Sequence, residues 1–171
     1  FSKTEMAVDK ERIFLFLDNK IEAYRIDSGA EVWKSAIGNK NVSIVISDVI
    51  SNLHIFYIKK ETPDVTTYYM ADRLSGKTTD LEAIKKDSKY FLCAMNKKNA
   101  KIAFDVPLDI PGEHDIIWMG VNNNKILIQF MAQKKMFVSA YNMNGGDSLW
   151  EISRDVSSFY RSYDLKPAFY N

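Results

Sequence analysis

Cysteine and histidine are nearly absent: Cys93, His54 and His114 are all that 171 residues contain. A single cysteine excludes an internal disulfide and a cysteine-rich zinc site, and two histidines with no ligand spacing around them give no basis for a metal centre. Proline occurs only at Pro63, Pro107, Pro111 and Pro167, each in an expected connection or at a strand start, so nothing breaks the strand-like segments from within. No run of about 18 apolar residues occurs, which excludes a hydrophobic membrane-spanning helix. Charge of one sign is also lacking: 23 Lys plus Arg stand against 22 Asp plus Glu, a net +1. Such a balance supplies no general electrostatic reason for nucleic acid or an anionic membrane surface as partner. A glycine-rich phosphate loop, a nucleophile elbow, a metalloprotease motif and a dinucleotide fingerprint are missing as well.

The composition is 46% hydrophobic and 26% charged, that of a folded chain, and the length suits one domain over residues 1–171. Phe1-Ser2-Lys3-Thr4-Glu5 is neither a signal peptide nor an initiator-methionine start, so a mature chain or a piece of something longer is expected. Aromatic residues make up 13% and recur with β-branched ones in short bursts, among them Arg12 to Leu17, Ile21 to Ile26, Val42 to Ile46, Leu53 to Ile58, Val65 to Met70, Tyr90 to Met95, Lys125 to Met131 and Met136 to Tyr141. Each has the length of one strand and is bounded by polar or turn residues. In Lys20 to Ile26, Glu22, Tyr24 and Ile26 share one face, and Ile21, Ala23 and Arg25 the other. Good helix formers gather only in Leu81 to Lys86, too short to stand alone. The chain reads as all-β.

Two segments repeat. With Gly29 set against Gly146, Ala23 meets Ala140, Tyr24 meets Tyr141 and Trp33 meets Trp150. A degraded third copy runs from Cys93 to Phe104, with Ala94 and Phe104 in register; a weaker fourth, Tyr69 to Lys77, keeps Gly76 but has Asp80 where the Trp belongs. The physics of the unit is a strand with a small residue that admits a neighbouring sheet, a turn whose glycine takes positive φ, and a return strand ending in a broad aromatic.

This Ala-Tyr-x-x-x-x-Gly-x-x-x-Trp unit resembles the blade signature of β-propellers of the pyrroloquinoline-quinone-dehydrogenase-like, tryptophan-docking class, well over 5–35 and 115–153 and partially between. The resemblance implies antiparallel blades of about four strands and a partial propeller or a fragment of a larger one, with about four blade signatures, the third incomplete. Gly29 to Gly76 is 47 residues and Ala100 to Gly146 is 46, near one repeat, but Gly76 to Ala100 is only 24. Lys166 to Asn171 is expected to open a further blade. Ala23, Gly29, Trp33, Ala94, Phe104, Ala140, Gly146 and Trp150 are accordingly structural repeat residues, and Trp118 a packing residue of an innermost strand.

Candidates for chemistry are few. His54 alternates with apolar neighbours as a structural histidine does; His114 lies near Asp109 and Glu113 in a loop; Cys93 sits in an apolar strand as a buried thiol. The quinone enzymes of the resembled class use an adjacent-cysteine disulfide and a carboxylate and amide cluster for calcium, which this chain does not match. No catalytic residue, cofactor or metal is therefore expected. The pairs Lys59-Lys60, Lys85-Lys86, Lys97-Lys98 and Lys134-Lys135 read as solvated turns rather than a nucleic-acid stripe. The expected role is a non-catalytic protein-binding scaffold, and the resemblance implies an extracytoplasmic (periplasmic or secreted) setting; the oligomeric state stays open. Lys59, Lys60, Glu61, Glu113, His114, Lys134 and Lys135, on the longer connections, form the expected contact set. Two alternatives stand beside it: an enzyme or glycan-binding propeller whose central-funnel site includes Asp115 and Lys125 and is completed by blades outside this chain, and a two-sheet adhesin sandwich in which the repeat is coincidental.

Overall fold

Alternation of apolar and polar residues over runs of four to nine residues lets strands pair with their sequence neighbours within each sheet. The computed structural model describes residues 5–17, 19–49, 51–62, 88–110, 114–132 and 134–156. Their strands make three four-stranded antiparallel sheets, with no helix among the described residues. The first holds β1 (Glu5–Val8), β2 (Arg12–Leu17), β3 (Lys20–Arg25) and β4 (Glu31–Ala36). The second holds β5 (Val42–Val49), β6 (His54–Glu61), β7 (Lys89–Asn96) and β8 (Ile102–Leu108). The third holds β9 (His114–Asn122), β10 (Lys125–Ala132), β11 (Lys135–Asn142) and β12 (Ser148–Asp155). Strands follow chain order within every sheet, and the opening strands lie together, β5 touching both β1 and β9. This is a series of blade-like sheets, not a two-sheet sandwich.

The repeat is visible bond by bond. Three hairpins, β3–β4, β7–β8 and β11–β12, place Gly29, Ala100 and Gly146 at φ of 66°, 57° and 76°. Each of these residues donates its N–H to the carbonyl four residues back, at Arg25, Asn96 and Asn142. A left-handed residue at that place produces a bulge in the following ladder, and the ladder slips at the same step in all three sheets, immediately after Ala23, Ala94 and Ala140. The copy over 93–104 is not an incomplete blade. Its strands β7 and β8 complete the second sheet by pairing with β6, although residues 62–88 separate β6 from β7 in the sequence. That separation is the cause of the irregular spacing. The Gly76 copy, the Leu81 to Lys86 stretch and Lys166 to Asn171 lie outside the described residues.

Apolar faces decide how the sheets stack. Phe14, Phe16, Ile21 and Ala23 of the first sheet pack with Ile55, Tyr57, Cys93 and Met95 of the second. The opposite face of the second sheet, with Phe56, Ile58, Leu92 and Ala94, packs with Met119, Ile126, Ile128 and Phe130 of the third. The middle sheet is thus apolar on both faces, which is why β6 and β7 read as nearly continuous apolar runs. Neither core joins the third sheet to the first, so among the described residues the series is open.

The left-handed glycines are not equivalent in their surroundings. A Cβ on Gly29 would meet nothing within 4 Å, whereas one on Gly146 would lie 2.7 Å from Val106 and 2.9 Å from Phe104. Gly29→Ala is expected to lower unfolding free energy by about 1 kcal/mol through its backbone alone. Gly146→Ala adds an overpacking penalty of about 1–3 kcal/mol, so urea unfolding of the two variants should differ by at least that margin.

Candidate functional site

Meander topology sorts every connection to one of two ends of the sheets. The strand ends leading out of β1, β3, β5, β7, β9 and β11 share one end, which carries the hairpin turns 26–30, 97–101 and 143–147; those leading out of β2, β4, β6, β8 and β10 share the other. The contact set expected from sequence belongs to the second end. Lys134 and Lys135 are exposed there, Lys135 3.9 Å from Asp155. Lys60 and Glu61 are half-buried, with the Lys60 ammonium 5.6 Å from the Tyr90 ring centre. Lys59 differs: it is only 8% exposed. Its ammonium donates to Asp105 and lies 3.4 Å from Glu61 and 4.7 Å from the centre of the Phe91 ring. Burial is the largest influence and works against the Lys59 charge, but the Asp105 hydrogen bond, the Asp105 charge and the Glu61 contact together outweigh it and hold the ammonium above its usual pKa. Glu113 lies outside the described residues; His114 opens β9.

Asp105 also accepts from the Cys93 thiol at 3.5 Å. Burial, with the Asp105 charge adding to it, pushes that thiol up in pKa, and burial does the same to Tyr57. A thiol kept protonated under apolar cover is a packing group, not a nucleophile. Asp115 and Lys125 do not converge. Asp115 pairs with Met131 near one end of the third sheet and Lys125 pairs with Asn122 at the other, roughly 20 Å away at strand rise. His54 is half-buried with its ring 6.1 Å from Phe56. Among the described residues no group of three His, Cys, Asp or Glu gathers as a metal site.

At the hairpin end neighbouring sheets dock on one another. Trp33, paired with Ala23 across β3–β4, faces the second sheet and donates its indole N–H to the Lys97 carbonyl at 2.8 Å. The Arg12 guanidinium donates to the same oxygen at 2.7 Å, and the Lys97 ammonium pairs with Asp9 at 2.7 Å. Burial resists the Asp9 charge, but the bonds from Lys97 and from the Glu11 and Arg12 N–H groups hold its pKa down. One step along the chain, Phe104, paired with Ala94, faces the third sheet and lies against Gly146 and its hairpin. The Phe104 ring has no N–H to give, so that side-chain contact is apolar.

A scan of family models finds none that matches the chain, and a search of curated proteins finds none similar to it.

Sequence reasoning aligned the repeat alanines with their aromatics, but Trp150, expected as a structural residue like Trp33 and Phe104, is 43% exposed because no sheet lies over it among the described residues, and Lys97, Asp9 and Arg12 were missed as a docking group. The acceptor for Trp33 is a backbone oxygen, which no side-chain pattern marks, and the Asp9–Lys97 pair spans 88 positions. The indole of Trp33 was the available signal, because a half-buried indole N–H calls for a partner.

Trp33→Phe should keep the packing and lose about 1 kcal/mol with the hydrogen bond; Trp33→Ala should lose about 3 kcal/mol or more. Thermal or urea unfolding of the pair separates the two contributions. A pH effect is also expected at Glu22, whose buried carboxylate accepts from Lys20 (2.8 Å), Tyr24 (2.7 Å) and Lys34 (3.2 Å). The Lys20 bond first, then Tyr24, hold it down to about 2. Its contribution is complete above the ordinary value of 4.5 and is lost as pH falls toward about 2. Acid titration of stability should therefore be shallower in Glu22→Gln across that window.

Proposed function

We propose that the chain is a non-catalytic, protein-binding scaffold whose contact surface is the end of the sheets to which β2, β4, β6, β8 and β10 lead. The observation that carries this reading is the division of labour between the ends. Indole, guanidinium and carboxylate groups at the hairpin end are committed to holding one sheet to the next. At the other end Lys134 and Lys135 are exposed beside half-buried Lys60 and Glu61. Charged groups at the ends of strands held in a stacked frame are pre-ordered, which reduces the entropy lost on binding. The resemblance of the repeat to propeller blades of the tryptophan-docking class supports the same role, since such frames present the loops of one end to a protein or peptide.

The test is capture of a binding partner by the wild-type chain and by a Lys60→Glu/Lys134→Glu/Lys135→Glu variant. Affinity should fall about tenfold or more in the variant, most at low salt, with the melting temperature unchanged. Equal capture by both chains, or turnover of a small molecule by the wild type, would overturn the reading.

A further inference from the structure

The back of each sheet is built to the same register, and in one sheet it is uncovered. Row by row, Trp33–Ala23–Phe14 in the first sheet corresponds to Phe104–Ala94–Phe56 in the second and Trp150–Ala140–Leu127 in the third. The first two rows are packed under the following sheet. In the third, Trp150 is 43% exposed and its neighbour Ile152 53%.

The front of the first sheet is the matching half. Pairing places Met6 opposite Leu15 and Val8 opposite Ile13, as Met119 stands opposite Ile128 and Val121 opposite Ile126 in the third sheet. Met119 is 3% exposed beneath the second sheet; Met6 is 65% exposed. At the hairpin end of the first sheet a cleft of about 450 Å³ is lined by Lys10, Glu11, Arg12, Arg25, Ile26, Asp27 and Val32. Ile26 holds the place that Lys97 holds in the second sheet. Both lie three residues before the left-handed residue, and their N–H groups donate to equivalent turn carbonyls, Glu11 and Leu53. Lys97 receives Trp33, whereas among the described residues no hydrogen bond takes up the Ile26 carbonyl or the Trp150 indole.

We infer that a second copy of this chain docks head to tail, the Trp150 face of one copy covering the Met6–Val8 front of the next, with the Trp150 indole in the Ile26–Val32 cleft. The occupant follows from complementarity present within the chain: the same donor row and the same receiving hairpin already meet at both internal interfaces. A contact of this kind is heterologous, so one copy offers one donor and one receiving face. It is independent of the end that carries Lys134 and Lys135.

Sedimentation velocity of the chain from low to high micromolar concentration tests it, with Trp150→Arg to block the donor face and Val32→Arg to block the cleft. Both positions are exposed, and circular dichroism checks that each variant is folded. The wild type should associate with rising concentration, and each variant alone should stay monomeric. An equimolar mixture of the two should form a dimer that grows no further, since each variant keeps one working face. Acrylamide quenching of tryptophan emission should fall with concentration in the wild type and not in either variant by itself. The Lys60→Glu/Lys134→Glu/Lys135→Glu variant should associate as the wild type does, which separates this surface from the proposed partner surface. A wild type that stays monomeric throughout, a single variant that still associates, or a mixture that remains monomeric would each overturn the inference.

Discussion

The carbonyl of Lys97 is the point on which the first two sheets are fixed. An oxygen on a tight turn accepts the Trp33 indole and the Arg12 guanidinium, while the ammonium of the same residue is held by Asp9. Each bond contributes only about 1 kcal/mol net, somewhat more where a charge takes part. Their effect is geometric: three groups from three elements of one sheet converge on one residue of the next, so neither sliding nor tilting keeps all three. Ser47, donating to Glu5 at 2.9 Å, ties the inner strands of the same two sheets. Apolar burial supplies most of the cohesion between sheets, and these polar contacts select one alignment from the many that burial alone would allow.

The second interface reaches a comparable alignment by other means. Phe104 replaces an indole by a plain ring, and Gly146 replaces Ala100, so the lost hydrogen bond is exchanged for closer approach. The ring fits because the receiving residue has no side chain. Aromatic stacking of Phe130 on Phe137, with ring centres 4.8 Å apart, stiffens the sheet that receives it. One register has therefore been satisfied with two chemistries, a directional bond in one case and steric fit in the other.

Much of this was legible from the residues. The alanine, the left-handed turn residue and the aromatic can be aligned by eye, and Ala100 and Phe104 occupy the places that the degraded copy assigns them. What could not be read were relations between distant positions. Residues 62–88 interrupt the second sheet between β6 and β7, which shifts the repeat spacing without altering the repeat. Lys59 sits in a basic pair of the kind that is usually solvated, yet Asp105, 46 positions away, draws it inward. Local pattern reports propensity and facing; it does not report which far residue supplies the compensating charge.

The same interruption shapes the order in which the molecule can assemble. In the first and third sheets every strand pairs with its neighbour across a short turn, so loop closure opposes their formation little. The second must bring β6 and β7 together across residues 62–88, at an added entropic cost that grows logarithmically with the length enclosed. Yet it is this sheet whose two faces cover the others, so the hairpins that form readily have nowhere to bury their apolar sides until the slowest one is complete. Cooperativity then rests with the middle sheet, and the flanking sheets, though quicker to zip, gain their stability last.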